Sequence, residues 1–159
     1  MPDYLCIRIL HTSKGKYNMK KIIVISTSLR PGSNSDTLAD KFIEGALASG
    51  NEVEKISLAG KIITFCKGCL TCQVTGKCAI NDDVNPIMEK VKNADVLVWA
   101  TPIYYYEMSG QMKTLIDRMN SMFPKNYKFR DIYFLSAAAE DADYVPANAL
   151  SGLQGWIDC

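Results

Sequence analysis

Histidine is almost missing from this chain: His11 is the only one among 159 residues. A Ser-His-Asp or Cys-His relay would have to draw on that one polar N-terminal side chain, and a zinc centre with several histidines is excluded. No stretch reads G-x-x-x-x-G-K-[ST], so a P-loop nucleotidase is out, and none reads G-x-G-x-x-G, which argues against a dinucleotide fold. Long apolar runs are lacking as well; none approaches the roughly 20 residues of a membrane span. The first ten residues carry Asp3 at their start and Arg8 inside their apolar run, a poor signal peptide. Charge of one sign is also missing. Eighteen Lys and Arg against seventeen Asp and Glu leave a net +1, scattered so that neither nucleic acid nor a membrane surface is an expected partner. With no export signal the expected location is the cytoplasm, where thiols stay reduced, and the six cysteines need an explanation other than a disulfide framework.

What is present is one domain's worth of alternating strands and helices. With 48% apolar and 22% charged residues, the composition is that of a globular protein. Residues 1–19 read as an N-terminal extension: Tyr4 to Leu10 suits an edge strand, His11 to Asn18 a linker, and Met19-Lys20-Lys21 a second natural start. The extension is therefore either a start-site artefact or an extra edge strand, and 20–159 is the domain proper. Lys21 to Ser26 (KIIVIS) is an almost wholly apolar run, as expected of a strand covered on both faces. Leu38, Phe42 and Ala46 recur at helical spacing until Gly50-Asn51. Glu52 to Leu58 reads as a strand. Val84, Ile87, Met88 and Val91 form a helical stripe. Asp95 to Ala100 is a third strand, and Met112, Leu115, Ile116, Met119 and Phe123 mark a helix. Asp131 to Leu135 is a fourth strand, and Tyr144 to Ile157 a closing helix. This pattern specifies an α/β fold with a parallel sheet between helical layers. In such sheets ligands lie beyond the carboxyl ends of the strands where strand order reverses, at Ser26 to Ser35, Thr101 to Met108 and the stretch from Ser136.

The first of these stretches joins strand to helix through Ser26-Thr27-Ser28-Leu29-Arg30-Pro31-Gly32-Ser33-Asn34-Ser35. Helix N-termini bind phosphate through free N–H groups and the dipole. The hydroxyls of Ser28, Ser33 and Ser35, the Asn34 amide and Arg30 are candidate partners of a dianion. Capping alone needs one such residue. The second stretch, Thr101-Pro102-Ile103-Tyr104-Tyr105-Tyr106-Glu107-Met108, offers backbone groups and a tyrosine wall for a planar ring. Ser136 and Ala137, at the end of the fourth strand, complete the candidate cofactor-binding set.

These motifs resemble the NADPH-dependent FMN reductases of the flavodoxin-like superfamily. Ser28-Leu29-Arg30 with Ser33-Asn34-Ser35 is similar to their FMN-phosphate loop. Thr101-Pro102-Ile103-Tyr104-Tyr105, then Ser109-Gly110-Gln111-Met112-Lys113 and Ile116-Asp117-Arg118, are similar to the segment that lines their isoalloxazine. The resemblance implies a flavodoxin-like three-layer sandwich, FMN as cofactor and NAD(P)H as electron donor. It further implies a quinone, flavin or other small aromatic acceptor, a homodimer or higher homo-oligomer, and no catalytic side chain, because the flavin carries the hydride. Family members usually continue into a fifth strand and often a last helix, whereas this sequence stops at Trp156-Ile157-Asp158-Cys159. Either the chain is truncated or Tyr4 to Leu10 supplies the edge strand.

Cys66, Cys69, Cys72 and Cys78 follow C-x2-C-x2-C-x5-C. Such spacing lets one loop present several thiolates to one [4Fe-4S] cluster and suits iron–sulfur better than zinc. It resembles the compact motif of iron–sulfur flavoproteins. Reductases resembling this chain also carry a cysteine-rich loop ahead of an Asp pair like Asp82-Asp83 and hold no cluster, and the free-thiol reading takes precedence on sequence. The leading function is thus an FMN-dependent NAD(P)H oxidoreductase. The alternative is a flavodoxin-like or iron–sulfur flavoprotein electron carrier between protein partners.

Overall fold

A computed structural model describes residues 4–9 as backbone and 18–123 and 127–159 in full. Along the chain lie β1 (Tyr4–Ile9), β2 (Lys21–Ser26), α1 (Asn34–Ala48), β3 (Glu52–Ser57), α2 (Thr71–Thr75), α3 (Val84–Lys92) and β4 (Val96–Tyr104). They are followed by β5 (Glu107–Met108), α4 (Gly110–Asp117), a 3-10 turn (Met119–Met122), β6 (Asp131–Ala138) and α5 (Ala147–Asp158).

The apolar runs of β2 and β4 fill the middle of the sheet, whose order is β1-β6-β4-β2-β3, with β5 paired to β4. β3, β2, β4 and β6 are parallel. Chain order reverses at β2, which has β3 on one side and β4 on the other. β2 and β4 bury both of their faces, so alternate residues feed two cores. Ile23, Ile25, Leu97 and Trp99 join Val84, Ile87, Met88 and Val91 of α3, with Met112 and Leu115 of α4 and Leu150 and Leu153 of α5. Ile22, Val24, Val96 and Val98 face Ala39 of α1, with Leu38, Phe42 and Ile43 packed against them. One face thus carries three helices and the other α1. All four apolar positions expected of the α3 stripe are buried.

Several boundaries differ from the sequence expectation. β4 continues past Ala100 to Tyr104 and β6 past Leu135 to Ala138, because Thr101↔Ser136 and Pro102↔Ala137 remain in register. α4 stops at Asp117, and Phe123 lies beyond it, 49% exposed. The stop coincides with Arg118, whose side chain is drawn into the interior. α5 begins at Ala147, leaving Tyr144 outside the helix and exposed. β1 pairs antiparallel with β6, Tyr4↔Ala138 through Ile9↔Tyr133, so Tyr4 to Ile9 is an edge strand beside the last parallel one. His11 and the expected linker, apart from Asn18, lie outside the described residues. No helix among the described residues is long and apolar enough to cross a membrane.

Candidate functional site

Pairing in register brings residues from three strands to one rim. Ser26 lies beside Ala100, and Ala100 beside Leu135. One step further out, Thr27 donates its backbone N–H to Ala100 O at 2.9 Å, and Thr101 lies beside Ser136. Among the described residues, eight of the eleven buried polar or charged side chains gather here: Ser26, Thr27, Ser28, Ser33, Ser35, Thr101, Ser109 and Ser136. Most buried hydroxyls are hydrogen-bonded, and Thr27, Ser109 and Thr101 supply bonds to one another. Thr27 Oγ1 and Ser109 Oγ are 2.9 Å apart. Thr101 Oγ1 donates to Ser109 Oγ at 3.2 Å and accepts from Ser109 N–H at 3.1 Å. Ser109 Oγ also caps α4, accepting from Met112 N–H at 3.3 Å.

The loop from β2 to α1 is built around α1's first turn. Ser33 is its N-cap, accepting from Asp36 N–H at 3.3 Å with Ser35 Oγ 3.4 Å away. Capping is therefore present, and it occupies one acceptor position of Ser33. Ser28 Oγ accepts from Arg30 N–H at 3.2 Å and folds the loop back on itself. The Ser26 hydroxyl donates to Asp36 Oδ1 at 2.6 Å, so its part here is to hold the loop's support. Lys55 Nζ reaches the same oxygen at 2.8 Å. Partial burial opposes the Asp36 charge, but the hydrogen bonds from Lys55 and Ser26 outweigh it and hold the carboxyl below its ordinary range. Gly32 turns the loop at φ 63°, with open space where a Cβ would stand. Arg30 and Asn34 are exposed. Among the described residues the Arg30 guanidinium has no side-chain partner. The donor set is thus an uncommitted cation, a helix N-terminus and hydroxyls, which fits a terminal phosphate.

The tyrosine stretch is a hairpin. Ile103 pairs with Met108 and Tyr104 with Glu107, leaving Tyr105 and Tyr106 as its two turn residues, at φ 50° and 65°. A two-residue turn with both φ values positive matches the twist of the strands it joins but favours Gly or Asn. Two tyrosines there hold strain of about 1–2 kcal/mol each. Tyr104 and Tyr105 are 56% and 98% exposed, so a broad aromatic surface stands free beside the rim. Tyr106 stacks obliquely on Tyr144, centroids 6.0 Å apart. Pro102, Ile103 and Ala137 are half-buried just below.

The cysteine loop lies past the opposite end of α4. Cys66, Cys69, Cys72 and Cys78 line one small hollow together with Arg118. Gly68 (φ 64°) and Leu70 (φ 56°) take left-handed backbone conformations within the loop. Gly68 N–H donates to Cys66 Sγ at 3.4 Å. Hydrogen bonds from Thr71, helped by the charge of Lys67, draw the Cys69 thiol down from its ordinary value. Burial, with the neighbouring Cys78, Cys66 and Cys69, pushes the Cys72 thiol up. No three Cys, His, Asp or Glu side chains among the described residues are already set around a metal position. The donor chemistry, four sulfurs on one hollow, suits an iron–sulfur cluster. Arg118 donates in a fork to Asp82 at 2.8 and 3.0 Å and through Nε to Cys78 Sγ at 3.2 Å. Burial opposes the Asp82 charge, but Arg118 and the N–H groups of Thr64 and Val84 override it and hold the carboxyl below the usual range.

Thr27 and Asp36 are not marked as site residues by the sequence, and Asp82, Ser109 and Arg118 only as parts of motifs. Ser109-Gly110 ahead of an apolar stripe is a capping signal that would have found Ser109. Nothing local marks the Asp82–Arg118 pair.

The model of the family described as NADPH-dependent FMN reductase matches residues 20–150. An iron–sulfur flavoprotein of Methanocaldococcus jannaschii is 42% identical over 98 residues, 62% of this chain and 51% of that protein. A Bacillus subtilis protein named as a candidate NAD(P)H-dependent FMN-containing oxidoreductase is 33% identical over 99 residues, 62% of this chain and 51% of its own. The chain spans about half the length of the curated relatives it matches. Among solved structures, RosB with a bound riboflavin-phosphate intermediate superposes at TM-score 0.66, covering 87% of this chain and 59% of RosB at 19% identity. At that identity the likeness is one of fold.

Proposed function

The chain belongs to the NADPH-dependent FMN reductase family, and from that premise we propose that it holds FMN at the carboxyl rim and moves electrons from NAD(P)H to a small aromatic acceptor, a quinone or flavin. The observation that carries the proposal is the strand–loop–helix at the switch point, with its capped helix start and the uncommitted Arg30. Arg30, Asn34 and the start of α1 hold the phosphate, and Ser28, Ser33 and Ser35 line the cradle. Thr101, Pro102, Ile103, Tyr104, Tyr105, Ser136 and Ala137 border the ring. When bound, FMN supplies hydride acceptance and release. The protein's part is alignment, and no side chain has to move a proton. Arg30→Ala should weaken FMN binding by ~1.5–3 kcal/mol, the value of a hydrogen bond to a charged group. Unchanged affinity in a flavin fluorescence titration would remove Arg30 from the site.

The four-cysteine hollow favours a second reading, in which Cys66, Cys69, Cys72 and Cys78 hold an iron–sulfur cluster and the protein passes electrons onward to a protein partner. Several relatives bear the name iron–sulfur flavoprotein, which supports it. Iron and sulfide content, with an absorption spectrum of oxygen-free protein, tests this reading. Absence of iron returns the loop to free thiols.

A further inference from the structure

Arg118 is the one Lys or Arg buried among the described residues, 1% exposed. Its planar guanidinium has donors in fixed directions. The fork on Asp82 fixes the plane, at 2.8 and 3.0 Å, and Nη1 also donates to Thr64 O. Asp82 is itself held by Thr64 N–H at 3.0 Å and Val84 N–H at 3.1 Å. The plane being fixed, Nε–H is left a single direction, and Cys78 Sγ lies along it at 3.2 Å. Cys78 is held from behind as well: its N–H donates to Asn85 Oδ1 at 3.0 Å, and its carbonyl accepts from Asn85 Nδ2 at 3.0 Å. Tying Thr64 and Asp82 to the end of α4 explains the two Nη atoms. It does not explain a charged donor aimed at sulfur.

We propose that Arg118, oriented by Asp82, is a positioning residue that sets the reduction potential of an iron–sulfur cluster on Cys66, Cys69, Cys72 and Cys78 by donating Nε–H to the Cys78 sulfur. The proposal rests on the four-cysteine reading given above. One added electron puts one negative charge on such a cluster, shared with its sulfurs. Donors and positive charge at the sulfurs therefore favour the reduced form and raise the potential. Exclusion of water from the Arg118–Asp82 pair strengthens the effect relative to a surface charge. Gly68 N–H gives Cys66 only a neutral donor; Cys78 receives the charged one. Asp82 works in the opposite sense, because its negative charge lies behind the guanidinium.

Two substitutions that both damage the same ion pair should thus move the potential in opposite directions. The full chain is reconstituted with iron and sulfide without oxygen, then titrated potentiometrically and followed by electron paramagnetic resonance. Asp82→Asn should raise the midpoint potential and Arg118→Gln should lower it. Arg118→Lys keeps the charge without an Nε–H for the sulfur and should fall between Arg118→Gln and the natural protein; it is also the variant best able to keep the fold. Potentials that stay put, shifts of the same sign, or loss of the cluster in every variant with FMN retained would each overturn the proposal in favour of a purely structural pair. A natural protein that keeps FMN yet takes up no iron would overturn the four-cysteine reading as well, and is recognised before any variant is made.

Discussion

Tyr105 shows how a single residue can stand against its own backbone preference. It holds φ 50° with its side chain almost wholly in solvent, so nothing in the fold compensates for the strain. Tyr105→Asn should raise stability by up to about 1 kcal/mol, since Asn adopts the left-handed region readily; urea unfolding measures it. If Tyr104 and Tyr105 border the flavin ring, Phe at either position should leave the rate of flavin reduction nearly unchanged, and Ala should lower it by loosening the stack. Stopped-flow reduction by NADPH checks this. A Phe variant that kept its flavin and lost most of its rate would show that a tyrosine hydroxyl takes part. Asp82 carries a pH signature. Its folded carboxyl titrates below the ordinary value, burial opposing its charge but Arg118 and two backbone N–H groups prevailing. That contribution is complete above the unfolded value near 3.9 and is lost as pH falls through the folded one. The urea midpoint should hold from neutrality to about pH 4.5 and then decline. In Asp82→Asn it should start lower and decline less.

The helices were legible where burial is one-sided. Val84, Ile87, Met88 and Val91 repeat at helical spacing and all pack beneath the sheet. Less legible was the end of β4, where Thr-Pro-Ile-Tyr-Tyr-Tyr has no alternation and contains a proline; only pairing with β5 and β6 makes it a strand. Phe123 fitted the stripe of α4 by spacing, yet the helix ends where Arg118 turns inward to a partner thirty-six positions earlier in the chain. Periodicity carries no information about such a pairing. The loop from β2 to α1, by contrast, is readable as a local string of donors, though its support by Ser26, Asp36 and Lys55 is not, because Lys55 comes from β3. Gly45 offers a test at this scale. It sits on the exposed side of α1 with open space where a Cβ would stand, so Gly45→Ala should stabilise the protein by about 1 kcal/mol. Thermal unfolding reads the gain.

Across the whole molecule two kinds of chemistry are carried by different segments of the chain. The hydroxyl-rich rim belongs to β2, β4 and β6, whereas the thiols belong to the long connection between β3 and α3. Replacing Cys66, Cys69, Cys72 and Cys78 together with Ser should therefore leave FMN affinity largely intact in a fluorescence titration. Loss of flavin with the thiols would mean that the two regions are one site.

α4 links the two. Its cap, Ser109, belongs to the hydroxyl chain with Thr27 and Thr101, and nine residues later Arg118 meets Cys78. At about 1.5 Å per residue that is roughly 13 Å of stiff rod. A rod of this kind acts as a gauge block: loops on either side can drift in sequence while the gap between rim and thiols stays the same. Its tolerance is angular as well as linear. One residue inserted between Ser109 and Arg118 would lengthen the gap by about 1.5 Å, but it would also swing the guanidinium about 100° around the axis, off the sulfur altogether.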